Sequence, residues 1–244
     1  EMCIRDRNSS YRWNIENRTW TAGYNYDPGS RWINIDVDIY HNDTTLNYLS
    51  SSGSYAGRST EDKTYGINVT NRASTTVLNG RNLNLEYGLS WNRTDFKAHY
   101  RRGGNFPGNL DKASLFSDAV LDFGRFSLNG GLRYDHWRLH GYRPAYSGGV
   151  GDCPSGSTCG DEWVTRSGGK ILPRLGVTWR ATESIDLYAT YSHTYRPPTT
   201  HEAFFSLIPL RDNVGNGVAN NLDLEPETSR GIDLGINYHV SLIH

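Results

Sequence analysis

Alternation of apolar and polar residues with a period of two constrains the fold of this chain more than any other feature. In its clearest stretch Ile33, Ile35, Val37 and Ile39 alternate with Asn34, Asp36 and Asp38. Successive side chains of a β-strand point to opposite faces, so this pattern predicts a strand with one apolar and one polar face. Nine strands are predicted, at residues 13–26, 33–39, 64–70, 83–91, 113–123, 126–137, 171–180, 185–195 and 230–238.

The lengths of the connections between these strands alternate along the chain. Short turns are predicted at residues 27–30, 73–80, 124–125 and 181–184, and longer polar loops at 41–62, 99–112, 138–170 and 196–229. An antiparallel membrane β-barrel has this parity, because its periplasmic turns are short and its external loops are long. A soluble sandwich has no reason to keep it. The sequence therefore predicts an all-β fold, a transmembrane antiparallel β-barrel fragment with about nine strands in an up-and-down meander.

Composition agrees with this prediction and removes other classes of protein. The mean hydropathy is −0.65 and no apolar run reaches the roughly 18 residues of a spanning helix, which excludes an α-helical membrane protein. Barrel strands face lipid with only every second residue, so low hydropathy is expected of them. The net charge of −1 gives no reason to expect nucleic acid as a partner. Aromatic residues near strand ends suit the interface girdles of a barrel: Tyr134, Trp137, Trp179, Tyr188, Tyr191 and Tyr195.

Two of the three cysteines lie in one short polar stretch. Cys153 and Cys159 are separated by five residues that include a proline and a glycine, and we expect them to form a loop disulfide. Such a bond implies an oxidising compartment. A structural zinc site is the alternative, although no histidine or further cysteine stands nearby to complete four ligands.

Both ends of the sequence look truncated. Residues 1–7, which include Cys3, have neither the apolar core of a signal peptide nor strand alternation, and we interpret them as a non-native leader. Residues 8–244 would then be part of one barrel domain. Nine strands alone would leave two unpaired edges, so further strands are expected in the parent protein.

Several motifs occur together from residue 171 onward. Residues 172–176 are Leu-Pro-Arg-Leu-Gly, residues 195–198 are Tyr-Arg-Pro-Pro, and residues 221–227 are Asn-Leu-Asp-Leu-Glu-Pro-Glu. With these motifs the chain resembles the barrel of TonB-dependent outer-membrane receptors, which have a Pro-Arg-Leu-Gly strand and Phe-Arg-Ala-Pro and Asn-Pro-Asn-Leu-x-Pro-Glu boxes. Residues 126–137 resemble a hairpin strand of the same family. The box residues here are Arg196, Pro197, Pro198, Asn221, Leu222, Pro226 and Glu227.

Prolines and a charged pair mark the two ends of the loop between these boxes. Pro197, Pro198 and Pro226 have no backbone N–H, so they are expected to end ladder pairing where the chain leaves and re-enters the sheet. Arg196 and Glu227 are expected to face each other near the mouth of the lumen. Their ion pair would hold the base of the loop.

The resemblance implies a barrel of about 22 strands in the outer membrane, filled by an N-terminal plug. The implied function is active uptake of an iron carrier, with no permanently bound cofactor. The implied partners are the TonB complex of the inner membrane, outer-membrane lipid, and a small iron-carrying ligand or haemophore. An enzyme is not expected, because Asp135 and His136 are adjacent in a strand and point to opposite faces. A passive porin or adhesin remains as an alternative class.

The residues after the first box bear on the ligand. His201 follows Pro198 closely, and a histidine in this loop resembles the haem and haemophore receptors of the family, in which it would bind haem iron axially. A solvated loop histidine is the alternative. A ferric siderophore is the alternative ligand, with an aromatic and cationic lining from Tyr191, Tyr195, Arg196 and Arg211. The topology also places five histidines at the external end: His41, His99, His140, His193 and His201.

Overall fold

The structure is a computed structural model that describes residues 12–49, 57–77, 80–99, 104–147, 153–206 and 221–239. These ranges contain long antiparallel strands, four very short strands and one helical turn. In chain order the elements are β1 (Trp13–Tyr26), β2 (Ile35–Tyr48), β3 (Ser59–Val77), β4 (Arg81–His99), β5 (Gly104–Asn105), β6 (Gly108–Asp122), β7 (Phe126–Arg143), β8 (Tyr146–Ser147), β9 (Thr158–Cys159), β10 (Glu162–Arg180), β11 (Ile185–Arg196), α1 (Thr200–Ala203), β12 (Phe205–Ser206) and β13 (Glu227–Tyr238). Within these ranges no helix has the length and apolar character needed to cross a membrane.

Nine long strands follow one another in a single sheet. Their order is β1-β2-β3-β4-β6-β7-β10-β11-β13, and all neighbouring pairs are antiparallel. β1 and β13 are therefore the two edges of the described sheet. The predicted nine-stranded meander is confirmed, and short and long connections alternate between the two ends of the sheet. We call the end with the longer connections the loop end.

Most strands are longer than the sequence predicts. At the loop end pairing continues beyond the apolar alternation, so the predicted loops at 41–62, 99–112 and 138–170 are too long. The turn predicted at 73–80 is also too long, because β3 and β4 pair as far as Val77 and Arg81. β2 begins at Ile35 instead of Ile33, which lengthens the first turn. The physical reason is that backbone hydrogen bonds need no apolar side chain, so a ladder can extend where both faces are polar.

The register gives the sheet one apolar and one polar face. On the polar face Arg72 contacts Asp36, and its Nε lies 3.0 Å from Oε2 of Glu86. The apolar face is exposed in the described chain, where Leu234 keeps 75 % of its surface accessible. Such exposure is expected of a face that meets lipid instead of water. One row of paired residues on this face crosses five strands: Val69, Leu89, Leu115, Tyr134 and Ile171.

The apolar face ends before the strands do. On β7 Tyr134 is the last apolar residue, and His136 and Arg138 follow on the same face. On β10 the run of apolar residues on this face ends at Ile171, and Gly169 follows towards the loop end. β7 and β10 therefore continue beyond the apolar band as a paired hairpin.

A disulfide lies at the tip of this hairpin. Cys153 is bonded to Cys159, with Cα atoms 5.9 Å apart, and the Cys153 side chain is buried. β8 and β9 pair beside it. The disulfide that the sequence predicts is thus present, and it uses the two sulfurs that a zinc site would need.

The aromatic residues predicted to form a membrane girdle divide between the two faces. Tyr134 and Trp179 lie on the apolar face and are about half exposed, as a girdle requires. Trp137 and Tyr188 lie on the polar face, so their assignment to the girdle is wrong. The reason is strand parity, because the number of each differs by an odd amount from the numbers of the apolar residues that define the face of its strand.

Candidate ligand-binding site

Arg196 holds two carboxylates at the loop end of the polar face. Its Nε donates to Oε2 of Glu227 at 2.9 Å, and its Nη2 lies 2.8 Å from Oε1 of the same residue. Its Nη1 and Nη2 donate to the two carboxylate oxygens of Glu202 at 3.0 and 2.9 Å. The predicted pair of Arg196 and Glu227 is therefore present, and Glu202 joins it. One guanidinium ties the end of β11 to the start of β13 and to α1.

A capping box fixes the helical turn beside this arginine. Thr199 is the N-cap of α1, and its hydroxyl accepts the backbone N–H of Glu202 at 3.3 Å. The Glu202 carboxylate accepts the backbone N–H of Thr199 at 2.9 Å in return. Pro197 and Pro198 precede the cap, and β11 ends at Arg196 directly before them, as their missing N–H groups predict.

The charge of Glu202 depends on these contacts. Hydrogen bonds from Arg196 first, and then from the backbone of Thr199, lower the pKa of Glu202 from 4.5 to about 2. Because the pKa is lower in the folded state, the contribution of this carboxylate to local stability is complete above pH 4.5. It is lost as the pH falls from there towards about 2.

This dependence gives a prediction for acid proteolysis of the parent receptor in detergent. Pepsin is expected to cleave next to Phe204 at about pH 2 and to spare that site at about pH 4, because only the lower pH protonates Glu202. Glu202→Gln is expected to be cleaved there at both values. Rates are normalised to an unstructured substrate, and equal cleavage of the wild type and the variant at about pH 4 would contradict the assignment.

An apolar cluster lies beneath α1. We use "loop base" for residues 197–206 and 221–226, the described flanks of the connection between β11 and β13. Phe204 is fully buried and Ala203 is 2 % exposed, and both pack on side chains of β6 and β7. The cluster is completed by Leu110, Trp137 and Leu139, with Phe106, Tyr195, Leu222 and Leu224 packed against it. The loop base is therefore attached to the polar face by an apolar contact as well as by Arg196.

Strand alternation would place the Tyr195 side chain on the apolar face, but it reaches the polar face. Its hydroxyl accepts a hydrogen bond from Nε1 of Trp137, which belongs to the polar face. β10 pairs with β11 only from Arg174, which faces Ser192, to Arg180, which faces Asp186. The residues of β11 after Ser192 therefore make no ladder with β10. Tyr195 thus reaches the candidate site, as predicted from the sequence, although through a bend that the sequence pattern does not show.

His201 of α1 lies over the polar face, against side chains of β3 and β4. Its ring packs on Phe96 of β4 with ring centroids 4.1 Å apart, and its Nε2 is 3.5 Å from Oδ1 of Asp62 on β3. The side chain is 44 % exposed. The imidazole is therefore partly accessible, and a carboxylate lies near its Nε2.

The other predicted site and box residues do not all reach the site. Tyr191 is paired with Leu175 and Ile232 on the apolar face, against the prediction that it lines the site. Arg211 lies outside the described residues. Asn221 accepts the backbone N–H of Asp223 at 3.0 Å and so shapes the return of the chain.

The histidines do not gather at one point. The ring of His41 stacks on Tyr65, and that of His140 stacks on Trp163, both pairs on the outward side of the sheet where the apolar face becomes polar. His201 lies on the other face, and the side chain of His99 lies outside the described residues. Among described residues no group of three or more potential metal ligands is close together. The described histidines thus lie towards the loop end, but strand parity divides them between the two faces.

A cavity of about 550 Å³ lies on the polar face below the loop base. Arg133, Asp135, Arg174 and Tyr195 contribute to its lining, and Nε of Arg133 donates to Oδ1 of Asp135 at 2.5 Å. Lys112 lines an adjoining cavity. The site is thus charged and open, with aromatic side chains at its upper rim.

Several residues of the candidate site were not predicted from the sequence. Glu202 could have been found, because Thr199 and Glu202 have the spacing of a capping box. Trp137 could have been found by parity, since it shares a face with Asp135. Asp62 and Phe96 had no local signal, because only the folded chain brings them to His201.

The family follows from comparison of the whole chain. A model described as the β-barrel of TonB dependent receptor-like proteins matches residues 4–243. The chain belongs to the TonB-dependent receptor family. Members of this family are transport receptors, and they are β-barrels of the outer membrane.

Solved structures of this family share the fold. The chain is similar to a double mutant of the Serratia marcescens hemophore receptor HasR, solved with its hemophore HasA and heme, at a TM-score of 0.77 and 27% identity. That match covers 93% of this chain and 36% of HasR. The ferric-catecholate import receptor Fiu from Escherichia coli K12 in its closed form gives a TM-score of 0.69 at 17% identity, covering 95% and 39%. The second match shows the fold alone.

Curated relatives include receptors for two kinds of ligand. The catecholate siderophore receptor Fiu of Escherichia coli (strain UTI89 / UPEC) is 28% identical over 149 residues, which cover 57% of this chain and 19% of Fiu. The heme/hemopexin utilization protein C of Haemophilus influenzae (strain 86-028NP) is 22% identical over 242 residues, which cover 92% and 30%. The chain therefore spans less than a third of the length of these two relatives.

Proposed function

We propose that this chain is part of an outer-membrane receptor that imports an iron carrier with energy from the TonB complex. We propose further that the carrier is haem, either free or delivered by a haemophore. The observation that carries the choice is the similarity to HasR, which extends over 93% of the chain at 27% identity. In sequence, the relative named for heme and hemopexin utilization matches over 92% of the chain at 22% identity, whereas Fiu matches over 57% at 28% identity.

The position of His201 supports the same choice. Haem iron takes an imidazole as axial ligand, and the pocket around the iron sets how it is held. His201 is exposed at the loop end of the polar face, where a ligand arriving from outside would first meet the receptor. The ring of Phe96 is buried and supports the imidazole from the sheet side, and a carboxylate oxygen of Asp62 lies 3.5 Å from its Nε2.

A ferric siderophore is the second candidate, and a different feature favours it. Within the described chain Lys112, Lys170 and Arg174 make no ion pair, although they lie on the polar face near the cavity. These cations would suit a carrier with several anionic oxygens. Arg196 does not suit it, because its guanidinium is occupied by Glu202 and Glu227.

Growth on defined iron sources tests the proposal. A strain lacking the parent gene is grown under iron limitation with haem or with a ferric catecholate as the iron source. The proposal predicts that the restored gene supports growth on haem, and only when TonB is intact. Growth on the ferric catecholate alone would favour the second candidate, and growth on neither would contradict uptake of an iron carrier.

A further inference from the structure

One edge of β10 is unpaired over most of its length. β10 pairs with β7 from Glu162 to Trp179, but with β11 only from Arg174 to Arg180. In the part of the chain that the structure describes, nothing forms a ladder with the other edge between Glu162 and Pro173. This stretch is longer than most complete strands, and exposed edges of such length are usually protected.

The direction of the backbone groups follows from the hydrogen bonds at the turns. The N–H of Arg180 donates to the carbonyl of Arg125, so even-numbered residues of β10 bond to β7. The N–H of Ala181 donates to the carbonyl of Ile185, so odd-numbered residues face β11. The unpaired groups therefore belong to Trp163, Thr165, Ser167, Gly169 and Ile171.

Pro173 lies at the point where pairing stops. It is odd-numbered and would have to donate towards β11, but proline has no N–H. The ladder ends at the next residue, Arg174, and β11 bends away to bring Tyr195 to Trp137. Pro173 therefore accounts for the separation of β10 and β11.

The unpaired edge is placed and stiffened for contact with another molecule. Its stretch from Glu162 to Lys170 lies beyond the apolar band, so about 30 Å of strand edge extends past the apolar face. The Cys153–Cys159 disulfide closes the tip of the hairpin, and β7 pairs along the whole other edge. A rigid edge loses little entropy when a partner strand is added.

We propose that this edge binds an extended segment of a protein ligand, which adds one strand to the hairpin. Added strands gain affinity from the main chain and specificity from alternating side chains. Trp163 is 57 % exposed on one face, and Arg166 and Lys170 lie on the other. The edge therefore suits a segment in which apolar and acidic residues alternate. Arg166 already contacts Asp223 at 2.9 Å, but the Asp223 side chain is 88 % exposed, so this pair can exchange with an incoming carboxylate.

A designed peptide tests the proposal without knowledge of the natural partner. The probe is a labelled nine-residue peptide with valines opposite the outward-facing residues and glutamates opposite Arg166 and Lys170 in an antiparallel register. Binding to the full-length receptor in detergent is measured by fluorescence anisotropy. The same peptide with alternate backbone nitrogens methylated serves as the control, because it has the same side chains but lacks the donors of a ladder.

Two substitutions at one position separate backbone from side chain. Ser167→Pro removes a donor that the described chain does not use, and proline is tolerated at such edges. Ser167→Ala keeps the donor. The proposal predicts that Ser167→Pro weakens peptide binding roughly tenfold or more and that Ser167→Ala leaves it unchanged. No binding to the wild type, or equal binding to both variants and to the methylated peptide, would overturn it. Neither result depends on haem or TonB, so this test is independent of the proposed function.

Discussion

Leu175→Arg is expected to prevent assembly of the parent receptor in the outer membrane. Leu175 lies midway along the apolar part of β10 and is 62 % exposed, with Tyr191 and Gly130 beside it on the same face. If this face meets lipid, an arginine at its centre costs about 2–4 kcal/mol, a large part of the stability of a typical fold. The measurement is the amount of heat-modifiable, folded receptor in isolated outer membranes.

Thr190→Arg is the matched control for this prediction. Thr190 is the neighbour of Tyr191 in β11, but it is on the polar face and pairs with Asp233 of β13. An arginine there would meet water and a carboxylate instead of lipid, so normal assembly is expected. If both variants assembled equally well, the apolar face would not be a lipid contact.

Phe204→Ala is expected to release the loop base from the polar face. The side chain is fully buried among residues of β6 and β7, and removal of a buried phenylalanine costs about 3–5 kcal/mol. The lost contacts join the loop base to the sheet and are not part of the strand ladder, so the loss is expected to be local and the barrel to melt as before. Hydrogen exchange of peptides that contain α1 is the measurement, and faster exchange confined to them is the expected result.

Two further variants test whether the Phe204 side chain anchors the loop base. Phe205→Ala removes a ring that is only partly buried, so a smaller increase in exchange is expected. Gly141→Ala adds a methyl group that would overlap the ring of Phe204 from the sheet side, so it should act like Phe204→Ala although it removes nothing. Slow exchange in both Phe204→Ala and Gly141→Ala would show that the cluster does not anchor the loop base.

The strands and their faces could be predicted because the information is local. A period of two identifies a strand and assigns each side chain to a face, as Ile35, Val37 and Ile39 show. The outer ends of the strands could not be predicted in this way, because the regular apolar alternation stops before them. The ladder of β7 and β10 continues for many residues past Tyr134, although His136 and Arg138 replace apolar residues on that face.

The candidate site could be predicted only where the contacting residues are close together in the sequence or belong to a family box. Arg196 and Glu227 were found because the boxes frame the loop. The positions of His201 and Tyr195 depend on a strand that bends and on a helical turn that reaches Phe96, more than a hundred residues away. Such contacts leave no periodic signal, so the family boxes and the residue types suggested their roles.

Haem titration of the purified parent receptor tests the central claim most directly. The wild type, His201→Ala and His140→Ala are compared by absorbance in detergent. His140 is the matched control, because it is a ring-stacked histidine near the loop end on the opposite face. The account predicts a Soret band in the wild type that weakens in His201→Ala and is unchanged in His140→Ala. No Soret band in any of the three would contradict haem as the imported carrier.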